Sequence, residues 1–189
     1  MLTEIVETTE TIETAETSVA VQEPRALDSA VGVIAASIKQ GLSPGDLSAL
    51  RRVGRRNWGV PAYWRVVNNV LVPRGLVVSE RDEAHWAVVL SALALLGGQH
   101  EYGMSFGRAL AVARVSDSRV ERLLRAHGDA LLDLVRPLAH QLASSGVRFN
   151  QVILADLIIS DGTVREDKVR RSIARDFYWT KSATDKAEK

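Results

Sequence analysis

Apolar residues recur every three or four positions along most of this chain, and this spacing constrains the fold more than any other feature of the sequence. Between residues 25 and 40, for example, Leu27, Val31 and Ile34 are spaced to lie on one side of a helix. No segment shows the alternation of apolar and polar residues that is typical of half-buried strands. The sequence therefore predicts an all-α fold of about nine helices.

Residues that begin and end helices separate these apolar segments. Ser79 and Thr163 are each followed three residues later by an acidic residue, which is the pattern of a capping box. The other predicted N-terminal caps are Ser43, Ser105, Ser116, Asp129 and Asn150. Predicted helix ends lie at Gly41, Gly54, Gly97 and Gly128. Pro137 lies inside a predicted helix and is expected to kink or split it.

Composition divides the chain into four segments. Residues 1–24 are rich in Thr and Glu and poor in large apolar side chains, so we expect a disordered acidic tail. A polar break near Gly97 predicts two packed helical lobes, residues 25–98 and 99–180, rather than independent domains. Residues 181–189 are expected to fray. The last helix is predicted to run through four apolar residues: Val169, Ile173, Phe177 and Trp179.

The net charge of +1 hides a segregation of charge along the chain. The first 24 residues contain six glutamates and no lysine or arginine. The remaining residues hold all 24 basic side chains and 17 of the 23 acidic ones, a net charge of +7. Nineteen of the basic residues are arginines, which form planar, bidentate contacts with phosphate. Codon bias would explain the abundance of arginine but not the segregation of charge.

The arginines cluster in two places. Arg119, Arg122 and Arg125 are spaced by three, so they share one face of a helix. Residues 51–56 contain four arginines, more than the dipole at a helix C-terminus requires. The clusters predict a surface for nucleic-acid phosphates, composed of Arg51, Arg52, Arg108, Arg119, Arg122, Arg125 and the basic residues of the last helix. A solvated charge patch, or a helical adaptor that binds acidic protein surfaces, is the alternative.

The sequence offers no pattern of catalytic or metal-binding residues. It has no cysteine, which excludes disulfides and thiolate metal sites. The four histidines are scattered without the spacing of metal ligands, and there is no glycine-rich phosphate loop. We therefore expect a protein that is not an enzyme and has no metal and no cofactor.

The sequence also lacks the patterns that direct a chain to a membrane. The N-terminus is acidic where a secretory signal would be basic, and no apolar run is long enough to span a bilayer. We expect a cytoplasmic protein with no membrane partner.

Residues 105–125 also fit a helix-turn-helix motif, so a DNA-binding transcriptional regulator is the alternative function. Two features count against the recognition of specific bases. Arg114 occupies the turn position where glycine is usual. The second helix begins without the Asn or Gln that reads adenine.

Several short motifs together resemble one protein family. They are Ala49-Leu50-Arg51-Arg52, Pro61-Ala62-Tyr63-Trp64, Phe106-Gly107-Arg108-Ala109-Leu110, Arg119-Val120-Glu121-Arg122-Leu123-Leu124, and Val169-Arg170-Arg171 followed by Ala174-Arg175-Asp176-Phe177. In this order, over about residues 25–180, they resemble the CasB family, the small subunit of the type I-E CRISPR surveillance complex Cascade. The acidic tail lies outside the resemblance.

The resemblance implies a non-catalytic, all-helical subunit that is usually present as a pair of copies. Its implied partners are crRNA and target DNA through backbone contacts, the backbone and large subunits of Cascade, and a second copy of itself. Its basic face would help to hold the guide RNA–target DNA heteroduplex and the displaced strand, which together form the R-loop. The implied nucleic-acid-binding residues are Arg51, Arg52, Arg81, Arg108, Arg119, Arg122, Arg125, Lys168 and Arg171.

Deletion of residues 1–24 is expected to tighten nucleic-acid binding at low salt, because it removes six carboxylates that compete with phosphates for the basic side chains. A filter-binding titration of the full and shortened chains tests this expectation. The gain in affinity should shrink as added salt screens the charges. Equal affinities at every salt concentration would indicate an inert segment.

Overall fold

The computed structural model describes residues 23–76 and 78–187, which form nine α-helices and no strand. The predicted all-α fold is therefore confirmed. The helices are α1 (Glu23–Gln40), α2 (Pro44–Arg52), α3 (Pro61–Val66), α4 (Glu80–Leu95), α5 (Phe106–Val112), α6 (Asp117–Arg125), α7 (Gly128–Ser145), α8 (Gln151–Ile159) and α9 (Glu166–Ala187). A π-helical segment (Val67–Leu71) and a 3-10 turn (Val72–Arg74) continue from α3.

Two further points concern the chain as a whole. None of the described helices is both long and apolar enough to cross a membrane. The acidic tail that we predict at residues 1–24 lies outside the described residues, apart from its last two positions, which begin α1.

Polar caps begin four of the helices, as the sequence predicts. The Oγ atom of Ser43 accepts a hydrogen bond at 3.0 Å from the backbone nitrogen three residues later. Asn150 caps α8 with a 3.0 Å hydrogen bond, and Ser105 caps α5 with one of 3.4 Å. Ser79 and Asp82 form the predicted capping box at the start of α4. These starts were predictable because every atom involved lies within a few residues of the helix end.

Two predicted boundaries between α6 and α7 are wrong. The α6 helix ends at Arg125 rather than Gly128, and Asp129 lies inside the first turn of α7 instead of capping it. The cap comes from elsewhere in the chain: Oδ2 of Asp161 accepts a hydrogen bond from the backbone nitrogen of Gly128 at 2.6 Å. The two residues are 33 positions apart, so no local pattern could indicate this contact.

Four further expectations differ in detail. Ser116 precedes α6, but its hydroxyl bonds to the Ser118 hydroxyl at 3.2 Å instead of capping the helix. Glu166 accepts a hydrogen bond from the backbone nitrogen of Gly162 at 2.7 Å, one residue before the partner that a capping box requires. Pro137 does not split α7, which runs unbroken. The α9 helix continues past residue 181 to its last described residue.

The α4 helix lies at the centre of the fold. Trp86 and Leu90 are buried in it, and the helix packs against α1, α2, α7 and α8. The buried apolar side chains form one continuous cluster that extends from Leu27 in α1 to Phe177 in α9. Helices before and after residue 98 contribute to this cluster. The division into two lobes at that residue stays a prediction.

The α5 and α9 helices cross at an unusually short distance, and Gly107 is the residue that permits it. A Cβ atom on Gly107 would lie 2.3 Å from the carbonyl oxygen of Ile173 and 3.0 Å from the Cβ atom of Asp176. No other residue can occupy this position without moving one of the helices. Phe106 and Leu110 are buried on either side of the crossing.

Arg170 is buried beneath the end of α6, with only 7% of the residue exposed. Its guanidinium donates hydrogen bonds of 2.7–3.2 Å to three carbonyl oxygens of α6 and the residue after it. It also forms ion pairs with Asp161 at 3.0 Å and with Glu166 at 2.7 Å. A cation satisfies the free carbonyls at a helix C-terminus, and the two carboxylates balance its buried charge. The three carbonyls belong to Leu123, Leu124 and Ala126.

Gly107→Ala is expected to lower the free energy of unfolding by about 1–3 kcal/mol, because the added methyl group overpacks the crossing of α5 and α9. Urea unfolding of the full chain measures the change. Gly59→Ala is the matched control, because a Cβ atom there meets nothing within 4 Å. It should change stability by less than about 0.5 kcal/mol. Equal effects of the two variants would contradict the close crossing.

Arg170→Met is expected to destabilise the chain by about 3–5 kcal/mol, because it leaves buried carboxylates and carbonyls without their partner. The same unfolding measurement on Arg171→Met provides the comparison. Arg171 is the next residue on α9, but 82% of its side chain is exposed and its ion pair with Asp167 lies at the surface. That variant should cost less than about 1 kcal/mol.

Candidate nucleic-acid interface

Five of the nine predicted site residues lie on helices that flank α7. On one side, the carbonyl oxygen of Arg51 in α2 accepts a hydrogen bond from Arg136 of α7 at 2.7 Å. On the other side, Arg119 of α6 donates to the side chain of Gln141 of α7 at 2.7 Å. The structure therefore places the two arginine clusters of the sequence beside the same helix, α7. The five residues are Arg51, Arg52, Arg119, Arg122 and Arg125.

The two arginines of α2 each donate a hydrogen bond within the protein. Nε of Arg51 donates to the carbonyl oxygen of Ala94 at 3.1 Å, and Nη1 of Arg52 donates to the Ser48 hydroxyl at 2.8 Å. Neither guanidinium has a carboxylate partner among the described residues, so both charges remain uncompensated.

Arg55 has a different role from its neighbours in the sequence. It bridges to α7 by ion pairs with Asp129 at 2.5 Å and Asp133 at 3.1 Å. The hydrogen bond to Asp133 raises the pKa of the Arg55 guanidinium above its ordinary value. Of the four arginines in residues 51–56, this one is neutralised within the protein.

The α6 side carries the clearest candidate contacts. Arg122 and Arg125 are exposed, and neither side chain forms a hydrogen bond or ion pair with any residue that the structure describes. They line a cleft of about 520 Å³ between α6 and α7, together with Ser118, Glu121, Ala126, Ala130 and Leu134. Two unpaired guanidinium groups at the edge of an open cleft can reach an extended anion.

Arg108 and the basic residues of α9 form a second group. Arg108 is exposed without a side-chain partner among the described residues, and it shares a cleft with Arg175. Arg175 also lines a second cleft with Lys168 and Arg171. Eight of the nine predicted residues thus fall into two groups, one beside α7 and one along α5 and α9. Arg81 belongs to neither, because its side chain is outside the described part of the chain.

Trp179 differs in burial from the other apolar residues of the predicted last helix. It lies on that helix, as predicted, but 79% of it is exposed. The buried stripe of α9 is formed by Val169, Ile173 and Phe177, and a residue two positions after Phe177 is turned about 200° away from that stripe. The spacing of these positions along the helix therefore indicates, from the sequence alone, that Trp179 is exposed.

The helix-turn-helix shape of residues 105–125 is present. Arg114 adopts a left-handed backbone conformation with φ of 53° at the turn, the position where glycine is usual. However, α5 packs closely against α9, and Asp117 at the start of α6 forms an ion pair with Lys181. The start of the second helix, which would contact bases, is therefore bound to the protein itself.

His127, Asp161 and Glu166 are the described residues that come closest to a metal site, with donor atoms within 4.8 Å of one another. Arg170 already binds Asp161 and Glu166. A metal ion at this place would lie beside a buried guanidinium, which repels it. We therefore assign the cluster to structural support rather than to metal binding.

Burial also shifts the pKa values of Asp156 and His100. Burial raises the pKa of the Asp156 carboxyl, and the ion pair with Arg165 at 2.8 Å opposes that rise. Burial lowers the pKa of His100, whose Nδ1 atom accepts a hydrogen bond from the backbone nitrogen of Gln151 at 3.2 Å. Asp156 thereby joins α8 to the segment before α9, and His100 joins the loop after α4 to the start of α8.

The chain is similar to CRISPR-associated proteins in sequence and in fold. The family model of CRISPR-associated protein Cse2 matches residues 46–178, a segment that includes every predicted site residue. A chain from the crystal structure of E. coli Cascade bound to a PAM-containing double-stranded DNA target has a similar fold, with a TM-score of 0.61. The two chains are 21% identical, and the match covers 80% of this chain and 95% of that one. No curated protein sequence matched the chain.

The match to the family model extends from α2 to α9 and covers most of the chain. It agrees with the motifs in the sequence, since Cse2 and CasB denote the same family. The chain therefore belongs to the Cse2 family of CRISPR-associated proteins, the small subunits of Cascade.

Proposed function

We propose that this chain is a non-catalytic, nucleic-acid-binding subunit of a CRISPR RNA-guided surveillance complex that acts in antiviral defence in the cytoplasm. It stabilises the guide RNA–target DNA heteroduplex and the displaced strand through backbone contacts of its arginines. The observation that carries this proposal is the pair of exposed, unpartnered guanidinium groups of Arg122 and Arg125 beside the cleft of α6 and α7.

The distribution of ion pairs supports the proposal. Several arginines are neutralised by carboxylates: Arg55, Arg65, Arg165, Arg170, Arg171 and Arg175. The six predicted residues with the strongest motif support have no carboxylate partner among the described residues: Arg51, Arg52, Arg108, Arg119, Arg122 and Arg125. Uncompensated positive charges attract the counterion-rich phosphate backbone of nucleic acids.

Membership of the family and the similar fold of a Cascade chain support partners within such a complex. We infer that the chain assembles with the backbone and large subunits and with a second copy of itself. Guide RNA pairing would read the target sequence, while this chain would read backbone shape and charge. The helical structure and the arginine clusters suit that division of roles.

The helix-turn-helix geometry at Arg114 supports a second candidate function, a sequence-specific DNA regulator. The two candidates differ in what they select. A regulator would enrich one duplex sequence from a random pool when tested as the full chain without guide RNA. A backbone-binding subunit would enrich none.

Replacing two arginines tests the main proposal. In a surveillance complex reconstituted with the full chain, Arg122→Gln with Arg125→Gln should weaken binding to a matched target duplex. The slope of log affinity against log salt should fall by about 0.7–0.9 for each phosphate that the variant no longer binds, because fewer counterions are released. The decrease in affinity should be similar for different target sequences.

Lys39→Gln with Arg148→Gln is the matched control, since it also removes two positive charges that have no carboxylate partner among the described residues. Both residues are exposed, and neither lines the clefts of α6 and α9. The control complex should keep the slope of the unmodified complex. A slope that is identical in the Arg122–Arg125 variant and the control would remove this pair from the interface.

A further inference from the structure

Trp179 stands on α9 as a large apolar side chain that the fold does not bury. It is 79% exposed, although Phe177, two positions earlier, is fully buried. Trp179 lines a cleft of about 580 Å³, a volume typical of clefts that hold small ligands. The cleft lies between α9 and the start of α5.

The surroundings of Trp179 are basic and polar rather than apolar. Arg108 of α5 and Arg175 of α9 line the same cleft. Asp176 also lines it and forms a 3.2 Å ion pair with Arg175, so the two arginines exceed the carboxylate by one charge. The remaining lining residues are Gly103, Ser105, Thr180 and Ala183. A single aromatic ring among charged and small side chains does not form a continuous apolar patch for a protein partner.

The exposed side of α9 extends this arrangement along the helix. Lys168, Arg171 and Arg175 precede Trp179 at spacings of three and four residues, so the four side chains share one face. Basic side chains that follow a strand, together with an aromatic ring that accepts a base, are the pattern of sites for single-stranded nucleic acid. A base-paired nucleotide cannot offer its face to a side chain, so the ring selects an unpaired base.

We propose that Trp179 stacks on an unpaired base of the displaced DNA strand, while Arg108 holds a phosphate beside that base. The guanidinium group of Arg108 supplies a planar, charge-assisted contact, and the indole face supplies stacking that does not depend on the base. This inference rests on the proposed function, because it requires that the chain lies beside an R-loop.

The test uses the reconstituted surveillance complex with Trp179→Leu and Trp179→Phe. Two targets are compared: a matched duplex, which produces a displaced strand, and the single target strand, which pairs with the guide but displaces nothing. Trp179→Leu should lower affinity for the duplex about 5- to 150-fold, the decrease expected for one stacked base. Its affinity for the single strand should be unchanged. Trp179→Phe keeps an aromatic face and should restore most of the affinity.

The salt dependence separates this inference from the proposed function. Stacking releases no counterions, so Trp179→Leu should lower affinity without changing the salt slope, whereas the Arg122–Arg125 variant changes the slope. Tyr178→Leu is the control, because Tyr178 packs against Phe177 at 5.0 Å and does not line the cleft. It should bind both targets as the unmodified complex does.

Three outcomes would overturn the stacking inference. They are unchanged affinity of Trp179→Leu for the duplex, equal decreases in affinity for both targets, and a reduced content of the chain in the assembled complex. The last result would identify Trp179 as an anchor for another subunit or a second copy. If the Arg122–Arg125 variant keeps its expected decrease in slope in any of these cases, the proposed function still stands.

Discussion

The buried ion pairs and hydrogen bonds of Arg170 connect the elements on which the candidate interface depends. Its guanidinium closes the carbonyl end of α6 and binds Asp161 and Glu166. Asp161 in turn caps the start of α7 at Gly128. One buried cation thereby fixes the end of α6, the start of α7 and the first turn of α9 relative to one another. The cleft of Arg122 and Arg125 lies between two of these elements, so its shape follows from the same contacts.

The arginines of this chain divide into those that build the fold and those that face outward without a carboxylate. Arg55 and Arg170 join helices through acidic partners, whereas Arg108, Arg122 and Arg125 have none among the described residues. The distinction matters because a neutralised arginine releases few counterions when it meets a phosphate. The positive charge that is available to nucleic acid is therefore smaller than the composition indicates, and it is concentrated beside α7 and α9.

Features that depend on neighbouring residues could be predicted from the sequence, and features that depend on distant contacts could not. The caps at Ser43 and Asn150 were predictable because each involves a backbone nitrogen at most three positions away. The cap of α7 by Asp161 and the burial of Arg170 join segments that meet only in the fold. The exposure of Trp179 follows from its position in the helical repeat relative to Val169, Ile173 and Phe177. The arginine clusters could be predicted from the sequence. Which of these arginines form ion pairs with carboxylates could be seen only in the structure.

The function proposed for this chain requires that it adds phosphate contacts to a surveillance complex. The most direct measurement compares the salt dependence of target-duplex binding by complexes assembled with and without the full chain. If the chain supplies such contacts, the complex that contains it has the steeper slope, by about 0.7–0.9 for each phosphate that the chain binds. Identical slopes with and without the chain would contradict the proposed function.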